Sequence, residues 1–390
     1  MFTVEAIDAG HGDCFLIRFI GNGGANRTIL IDGGPDKAEA REGNHMPYRD
    51  RLLPRLMQLR AASSAPKLKL DLVVCTHIDA DHIDGIRLLY QCLSGNGCIS
   101  ADGASIEAPR LWFNSFARIM DGVDIAAAVR DAKAASVADG ENLTTFALQA
   151  GASINDFAEG SLVAQGHKDT LRLKPATIRV LSPGVKQLTR LKEHWVDTMR
   201  DEPQADTSAV SRRWAAADNS VANLSSIAML IEGGGRKLLM CGDQRGDFIL
   251  EGLRDLALSK DKEIFHVDLM TVPHHGSDAN NLPKFHQAVT ADTYIFSANG
   301  KHQNPDIATL QLIASQAATG RKFTMAFTQP DFDYTKSNKG DLPKFAGTDI
   351  RTLQEAIAAL KTLPGVADNV TFRFRDEGAN AIEFAFAPNS

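Results

Sequence analysis

The sequence has no long hydrophobic run and no signature of export. No window reaches the roughly 18 uninterrupted apolar residues that a membrane helix needs. The N-terminus also lacks a basic segment followed by an apolar stretch and a cleavage site. These absences lead us to expect no membrane partner and a cytoplasmic location.

Cysteine is scarce: the 390 residues contain five, an odd number, scattered along the chain. Cys92 and Cys98 are too isolated from other cysteines and histidines to indicate a structural zinc ribbon. The pattern predicts five reduced thiols in the core.

Positive charge is not in excess either, since the formal net charge is -6. The chain as a whole therefore lacks the general attraction to polyanions that a strongly basic duplex-binding domain has. A nucleic-acid substrate would need a local basic channel. With 44% hydrophobic and 23% charged residues, the composition is otherwise typical of a globular protein.

Predicted strands and helices alternate along the chain, which indicates a layered α/β fold. In the first half we expect strands near 2–8, 13–20, 28–32 and 70–75, with helices near 47–61 and after 83. In the second half we expect strands near 177–181, 227–231, 237–241, 267–272, 292–297 and 322–327, with helices near 247–258 and 306–318.

Two segments differ from this alternation. Residues 95–175 contain Ala-rich stretches and few β-branched runs, which predicts a mostly helical insertion that could bind a protein partner, mediate self-association or form a lid. Residues 331–390 are predicted to form a C-terminal extension with a helix at 349–361. Its last two segments, 369–374 and 381–386, alternate in polarity and predict a small β-hairpin.

The densest polar motif lies at residues 76–85, where His77, Asp79, Asp81 and His82 occupy six positions. The apolar run before it predicts a buried strand, and helically spaced apolar residues after it place His82 near a helix start. Neutral imidazoles and hard carboxylates in one small volume suit a divalent metal ion. The alternative is a polar loop with capping aspartates and incidental histidines.

This motif resembles the His-x-His-x-Asp-His signature of the metallo-β-lactamase-fold hydrolases, with Asp79 in place of the second histidine. The variant is similar to the branch related to the hydrolase domain of the bacterial DNA-uptake protein ComEC. Four further segments resemble motifs of that branch, in the expected order: residues 7–14, 30–34, 238–243 and 272–277. The matches cover most of residues 1–330, which the resemblance assigns to the hydrolase domain.

The resemblance implies a metallo-β-lactamase-like four-layer αββα sandwich and one or two divalent metal ions, zinc or manganese. The implied metal ligands are His77, Asp79, Asp81, His82, Asp243 and His274. His77 and Asp79 would serve one metal and Asp81 and His82 the other, with Asp243 as the bridge. The alternative role for Asp243 is that of N-cap of the following helix.

Two ligand positions stay open. The usual third histidine of the first metal falls on Asn223, which is either a ligand or a turn residue. His274 or His275 supplies the last ligand of the second metal. Because adjacent side chains diverge in extended backbone, we do not expect both to bind one metal. We prefer His274 as the ligand and leave His275 to meet the substrate.

Other candidates lie in loops that the resemblance places near the metals. His11 and Asp13 flank Gly12 and are candidates for metal binding or for supporting the ligands, and Ser277 could hydrogen-bond there or cap a turn. In the loop at 297–305, Lys301 and His302 could neutralise charge on phosphoryl oxygens. His302 could equally be an ordinary surface residue.

The leading hypothesis is a metal-dependent phosphodiesterase or nuclease acting on DNA or RNA, with Asp81, His275 and His302 in catalysis. A second hypothesis is a small-molecule hydrolase acting on a lactam, lactone, thioester or phosphoester, because one scaffold hosts many chemistries. A third is a non-catalytic regulatory subunit with a degenerate metal site, suggested by Asn223 and by the displaced His302.

Overall fold

A computed structural model describes residues 2–36, 46–97, 105–119, 135–158, 162–165, 171–189, 192–193, 222–260, 263–337 and 340–387. Strands and helices are numbered separately in chain order. The Ala-rich stretches at 125–129 and 132–134 lie outside the described residues.

Most strands form two large sheets. The first sheet contains β1 (Phe2–Ile7), β2 (Phe15–Ile20), β3 (Asn26–Ile31), β5 (Leu72–Val74), β7 (Arg110–Trp112), β8 (Ser153–Ile154) and β19 (Ala381–Phe386). The second contains β9 (Leu171–Leu173), β10 (Ala176–Ser182), β11 (Ala228–Gly233), β12 (Arg236–Met240), β13 (Phe265–Thr271), β14 (Val289–Phe296), β15 (Phe323–Phe327) and β18 (Val370–Phe374). Two short ribbons pair β4 (Leu68–Lys69) with β6 (Ile106–Glu107) and β16 (Lys344–Phe345) with β17 (Thr348–Asp349).

The spatial order of the first sheet is β19-β1-β2-β3-β5-β7-β8, and that of the second is β18-β15-β14-β13-β12-β11-β10-β9. In the first sheet β3, β5, β7 and β8 run parallel. In the second, β12, β13, β14, β15 and β18 run parallel. The carboxyl ends of parallel strands gather at one edge of a sheet, so the loops that follow them lie together.

The described α-helices are α1 (Leu53–Ala61), α2 (Ala80–Leu93), α3 (Phe116–Ile119), α4 (Ala135–Gln149), α5 (Gly246–Asp255), α6 (Pro283–Ala288), α7 (Ile307–Ala314), α8 (Leu353–Leu360) and α9 (Val366–Asn369). Shorter helical turns include Ala222–Ser225, Pro273–Gly276 and Lys301–Gln303. All three are loops at strand ends.

Three apolar clusters separate four layers. Alternate residues of a strand face opposite sides of a sheet, and in β2 Leu16 packs toward the α1, α2 and α4 helices while Ile17 packs toward the second sheet. In β12, Leu238 faces the first sheet and Leu239 faces α5, α7 and α8. Both sheets are thus buried on two faces, and the predicted αββα sandwich is confirmed.

The predicted C-terminal hairpin is wrong. β18 pairs in parallel with β15 in the second sheet, and β19 pairs antiparallel with β1 in the first. A period-two pattern identifies a strand with one buried face, but it does not identify the partner strand. The chain crosses between the sheets at Arg375, whose buried guanidinium donates to the carboxylate of Asp8 (2.9 Å) and to the carbonyl oxygens of Thr328 and Ala379.

The segment 95–175 is only partly helical. Its described residues include α3 and α4, but also β7 and β8, which extend the first sheet, and β9, which ends the second. The prediction of a mostly helical insertion missed these strands, because two or three residues are too few to show a period in sequence. This part of the chain is built into the sandwich.

Two further expectations concern membrane-spanning helices and the oxidation state of the cysteines. No helix among the described residues combines the length and apolarity needed to cross a bilayer. Cys14, Cys75 and Cys241 are buried free thiols, but Cys92 is disulfide-bonded. The prediction of five reduced thiols is therefore wrong at Cys92, since an odd count still allows one pair.

The start of α2 packs directly on the turn after β3. The Gly33 amide donates to the His82 carbonyl (2.9 Å), and the Gly85 amide donates to the Gly34 carbonyl (3.1 Å). A Cβ atom at Gly85 would lie 2.1 Å from the Gly33 carbonyl oxygen. Only glycine allows this approach, which sets the position of His82 relative to Asp32.

We expect Gly85→Ala to lower the free energy of unfolding by about 1–3 kcal/mol, because the backbone must move apart to admit the methyl group. Helix propensity alone would favour alanine by about 1 kcal/mol, so a loss shows that the steric effect dominates. Urea denaturation measures the change. The matched control is Gly340→Ala, where an added Cβ meets nothing within 4 Å; equal midpoints for the two variants would contradict the prediction.

Candidate metal centre

Six loops meet at one edge of the sandwich. In the first sheet they follow β1, β3 and β5, and in the second they follow β12, β13 and β14. These loops carry most of the site residues predicted from the sequence. Residues that are far apart in the chain, from His11 to His302, therefore lie in one buried pocket.

Asp243, which follows β12, lies at the centre of this pocket and is 2% exposed. Its Oδ2 atom is 3.8 Å from the Nε2 atom of His77 and 3.4 Å from that of His274. The Nε2 atom of His77 is also 3.5 Å from Asp79 Oδ2. We call His77, Asp79 and His274 the Asp79 group.

The other carboxylate oxygen of Asp243 faces a second set of residues. Its Oδ1 atom lies 3.2 Å from His82 Nε2 and 3.6 Å from His275 Nε2. Both histidines also approach Asp81 Oδ2, at 3.8 and 3.2 Å. We call Asp81, His82 and His275 the Asp81 group.

The three histidines nearest Asp243 Oδ1 and Oδ2 are held by their Nδ1 atoms. Nδ1 of His275 lies 2.9 Å from the Ser297 carbonyl, which can only accept. Nδ1 of His82 lies 2.9 Å from the Asp32 carboxylate. Nδ1 of His274 lies 2.9 Å from Asn280 Oδ1, and the amide of Asn280 is oriented by its donation to the Asp243 carbonyl. Each ring therefore has a proton on Nδ1, and its Nε2 atom is the one that can bind a metal ion in the pocket.

The residues fit a divalent metal ion. The Nε2 atoms of His77, His82 and His275 and the Oδ1 atom of Asp243 are buried without a satisfactory hydrogen bond, which is costly unless another group satisfies them. Ligand atoms that share one tetrahedral ion at about 2.1 Å lie about 3.4 Å apart. The measured separations of 3.2–3.8 Å suit that arrangement.

The side chains of His274 and His275 differ in direction from the prediction. His275, and not the preferred His274, lies beside Asp81, while His274 faces the Asp79 group. The two side chains would diverge in an extended backbone, but both residues have left-handed conformations, with φ of 49° and 55°. In that turn consecutive side chains reach the same pocket from two sides.

Asn223 lies beside the ring of His274, with its Nδ2 atom 3.4 Å from Nδ1. The Nε2 atom of His274 occupies the place nearest Asp243 Oδ2 on that side. The structure thus brings a histidine to the Asp79 group from the second sheet, where the family spacing pointed to Asn223.

Asp32 also borders this centre, although it is not among the residues predicted from the sequence. It is fully buried, has a φ of 57°, and accepts hydrogen bonds from the amide and hydroxyl of Thr76 at 2.7 and 2.8 Å. These contacts leave its carboxylate aimed at Nδ1 of His82. The signal in the sequence was the match at 30–34, which marked a turn but not its partner.

The charges of the pocket depend on each other. Burial raises the pKa of Asp243, but His82, His274 and His275 lower it well below its usual range. Burial lowers the pKa of His82, while Asp243, Asp81 and Asp32 raise it well above the usual value. The carboxylates thus require positive charge nearby, and a divalent cation can supply it in place of protons on the rings.

The first loop supports Asp81. His11 Nε2 lies 3.0 Å from Asp81 Oδ2, and the Asp13 amide donates to the Asp81 carbonyl at 3.2 Å. A Cβ atom at Gly12, whose φ is 122°, would lie 2.1 Å from that carbonyl oxygen. The carboxylate of Asp13 lies 3.5 Å from Nδ1 of His275, so both predicted residues of this loop border the Asp81 group.

The remaining candidates lie toward the surface. The ring of His302 is 5.1 Å from that of His11, centroid to centroid, and Lys301 is near enough to contribute to lowering the pKa of His11. Ser277 takes part through its main chain, since its amide donates to the His274 carbonyl at 2.8 Å.

Residues 7–122 match the family model described as metallo-β-lactamase superfamily. This part of the chain is therefore similar to the metallo-β-lactamase superfamily. The finer resemblance to the ComEC branch stays a prediction, and no curated protein matches the chain.

The solved structures that are similar to this chain are distant in sequence. The metallo-β-lactamase fold protein YhfI from Bacillus subtilis is 11% identical, covers 98% of this chain and 99% of its own, and has a TM-score of 0.37. A variant of CmlA β-hydroxylase is 13% identical over 78% of this chain and 46% of its own, at 0.34. A long-form RNase Z from yeast is 12% identical over 98% of this chain and 49% of its own, at 0.31. At these scores the likenesses carry no argument about function.

We expect Asp32→Asn to weaken zinc binding by about 10–100-fold, because loss of the charge behind a metal-ligating histidine has effects of that size. Competition with a chromophoric chelator measures the affinity. Asp349→Asn is the control, since this exposed side chain pairs with Lys344 on a short ribbon. Equal zinc affinity in both variants would show that Asp32 does not support metal binding at this centre.

We expect His274→Ala and His275→Ala each to reduce the metal content from about two ions to about one, because each ring serves a different group. Elemental analysis of the purified variants gives the count, and anomalous scattering shows which ion is lost. The exposed His266→Ala is the control. Loss of the same ion in both variants would contradict the assignment to two groups.

Proposed function

We propose that this chain is a metal-dependent hydrolase that cleaves phosphodiester bonds in DNA or RNA. The observation that carries the proposal is the division of the Asp243 carboxylate between two groups of ligands. Divalent ions bound there, zinc or manganese, would polarise a water molecule and the scissile phosphate.

Each group of residues would hold one ion. His77, Asp79, His274 and Asp243 Oδ2 would bind one ion, and Asp81, His82, His275 and Asp243 Oδ1 the other. Three carboxylates alongside four imidazoles make a mixed nitrogen and oxygen set, which suits zinc and also allows manganese.

Asp81 would accept a hydrogen bond from the attacking water and thereby orient it. Its own carboxylate is held by His11, whose Nε2 atom lies 3.0 Å away. Burial lowers the pKa of His11 to about 4, although Asp81 opposes the shift. His11 is therefore a neutral donor near pH 7 and fixes Asp81 without adding charge.

A row of imidazoles leads from the surface to the metal centre. The ring centroids of His302 and His11 are 5.1 Å apart, and those of His11 and His275 are also 5.1 Å apart. His302 and Lys301 are half-buried, whereas His275 is 2% exposed. His302 and Lys301 would bind the phosphoryl oxygens at the entrance, where donors stabilise charge that develops during cleavage.

The substrate class rests on the motif pattern and on this cationic entrance. The ComEC-like variant with Asp79, and the later His274-His275-Gly276-Ser277 segment, favour phosphodiester chemistry by resemblance. A small-molecule ester or lactam remains the second candidate, because the net charge of -6 gives no general attraction to nucleic acids.

We expect cleavage of single- or double-stranded DNA or RNA with Mn²⁺ or Zn²⁺, and a loss of about 10²–10³-fold or more in Asp81→Ala/His82→Ala, which removes groups that stabilise the reacting phosphate. The matched control is Asp292→Ala/His266→Ala, an exposed pair 3.1 Å apart that lies away from the centre. Nuclease gels and fluorescent oligonucleotides provide the rates.

Three outcomes would contradict this proposal. Equal activity of Asp81→Ala/His82→Ala and wild type would remove the metal centre from the reaction. Turnover of chromogenic esters or lactams without nucleic-acid cleavage would favour the small-molecule hydrolase. Purified protein that never retains a metal would favour the non-catalytic subunit.

A further inference from the structure

A second cleft, of about 650 Å³, lies far from the metal centre. This volume is within the range of roughly 300–1,000 Å³ that ligand pockets occupy. Its walls include no residue of the Asp79 or Asp81 groups.

The strand directions place this cleft at the opposite edge of the first sheet. Arg27 begins the β3 region and Asp32 follows its end, while Lys69 precedes β5 and His77 follows it. Arg110 is the first residue of β7. Because β3, β5 and β7 run parallel, their starts gather at the edge away from the metal centre.

The cleft is positively charged in a chain whose net charge is negative. Five basic side chains line it, against two acidic ones, Asp71 and Asp156. The basic residues are Arg27, Lys69, Arg110, Arg172 and Lys174. They come from both sheets, since Arg172 lies in β9 and Lys174 follows it.

Asp71 and Asp156 orient two of the arginines, and Lys69 Nζ lies 3.9 Å from the Glu107 carboxylate. Arg27 Nη1 lies 2.5 Å from Asp71, and Arg110 Nε lies 2.8 Å from Asp156. The Nε atom of Arg27 is buried without a hydrogen-bond partner. Exposed Arg172 and Lys174 make no ion pair with any residue in the described part of the chain.

We propose that this cleft binds an anion that carries two or more phosphate groups. Neighbouring strands are about 4.8 Å apart, so the starts of β3 and β7, with β5 between them, are about 10 Å apart. An anion with phosphates in series can contact cations at several of these positions at once. Arginine forks suit phosphate oxygens in particular.

The inference is independent of the proposed function, because it concerns binding at residues outside the metal centre. Its test uses the full chain in EDTA, where metal-dependent cleavage stops. The probe is a fluorescein-labelled 12-nucleotide oligothymidylate followed by anisotropy, with tripolyphosphate and inorganic phosphate as competitors. Anisotropy in EDTA reports binding without cleavage, which separates this test from the nuclease assay.

We expect Arg172→Glu/Lys174→Glu to weaken probe binding at least about tenfold, and to reduce the slope of log affinity against log salt by about 1 for each phosphate that the variant no longer binds. Arg172→Gln/Lys174→Gln, which only removes charge, should give a smaller loss of affinity in the same direction. The control is Lys260→Glu/Lys344→Glu, which reverses two exposed lysines elsewhere.

Displacement of the probe by tripolyphosphate would support the site and identify a small polyphosphate as sufficient. If neither competitor displaces the oligonucleotide, and the cleft variant no longer binds it, the result would support the site and identify a nucleic-acid backbone as its ligand. Failure of all three anions to bind, or equal binding by the cleft variant and the lysine control, would overturn the proposal.

Discussion

The carboxylate of Asp243, buried between two groups of ring nitrogens, imposes the main constraint on this structure. Asp81 and Asp32 lie close by, and the nearest cationic partners in the described pocket are histidines. Buried carboxylates are tolerated only when paired or bound to a metal. Hydrogen bonds from Nδ1 of His82, His274 and His275 fix these rings, so that Nε2 is the nitrogen that faces Asp243 and can bind a metal ion. The pocket is therefore built to surround positive charge that side chains supply only through protonation.

The fold makes this arrangement possible because two sheets end at one edge. Each sheet alone would place only some of the ligands there: His77, Asp79, Asp81 and His82 from the first, Asp243, His274 and His275 from the second. The apolar cluster between the sheets fixes their spacing, and the close approach of Gly33 and Gly85 fixes the start of α2. A shift of about an ångström in either contact would move one oxygen atom of Asp243 away from the group of residues that it faces.

Much of the fold could be predicted from the sequence, since apolar runs and turn residues located nearly all the strands of both sheets. The pattern could not identify partners, so β18 and β19 were joined in a hairpin although they close different sheets. The pattern also carried no information about the backbone angle φ. The left-handed turn at His274 and His275 places His275 beside Asp81, where His274 was preferred. The ligand types were visible in residues 76–85, because their density is unusual. Asp32 was not, because its role depends on a contact with His82 across 50 residues.

The pairing of β19 with β1 has a consequence for synthesis on the ribosome. β1 leaves the exit tunnel long before its partner β19, so its outer edge stays uncovered until residues 381–386 have also emerged. The edge of β15 is likewise uncovered until β18 has been made. Exposed strand edges of this kind invite pairing with other chains, so each sheet carries an open edge throughout the synthesis of the segments that separate these strands.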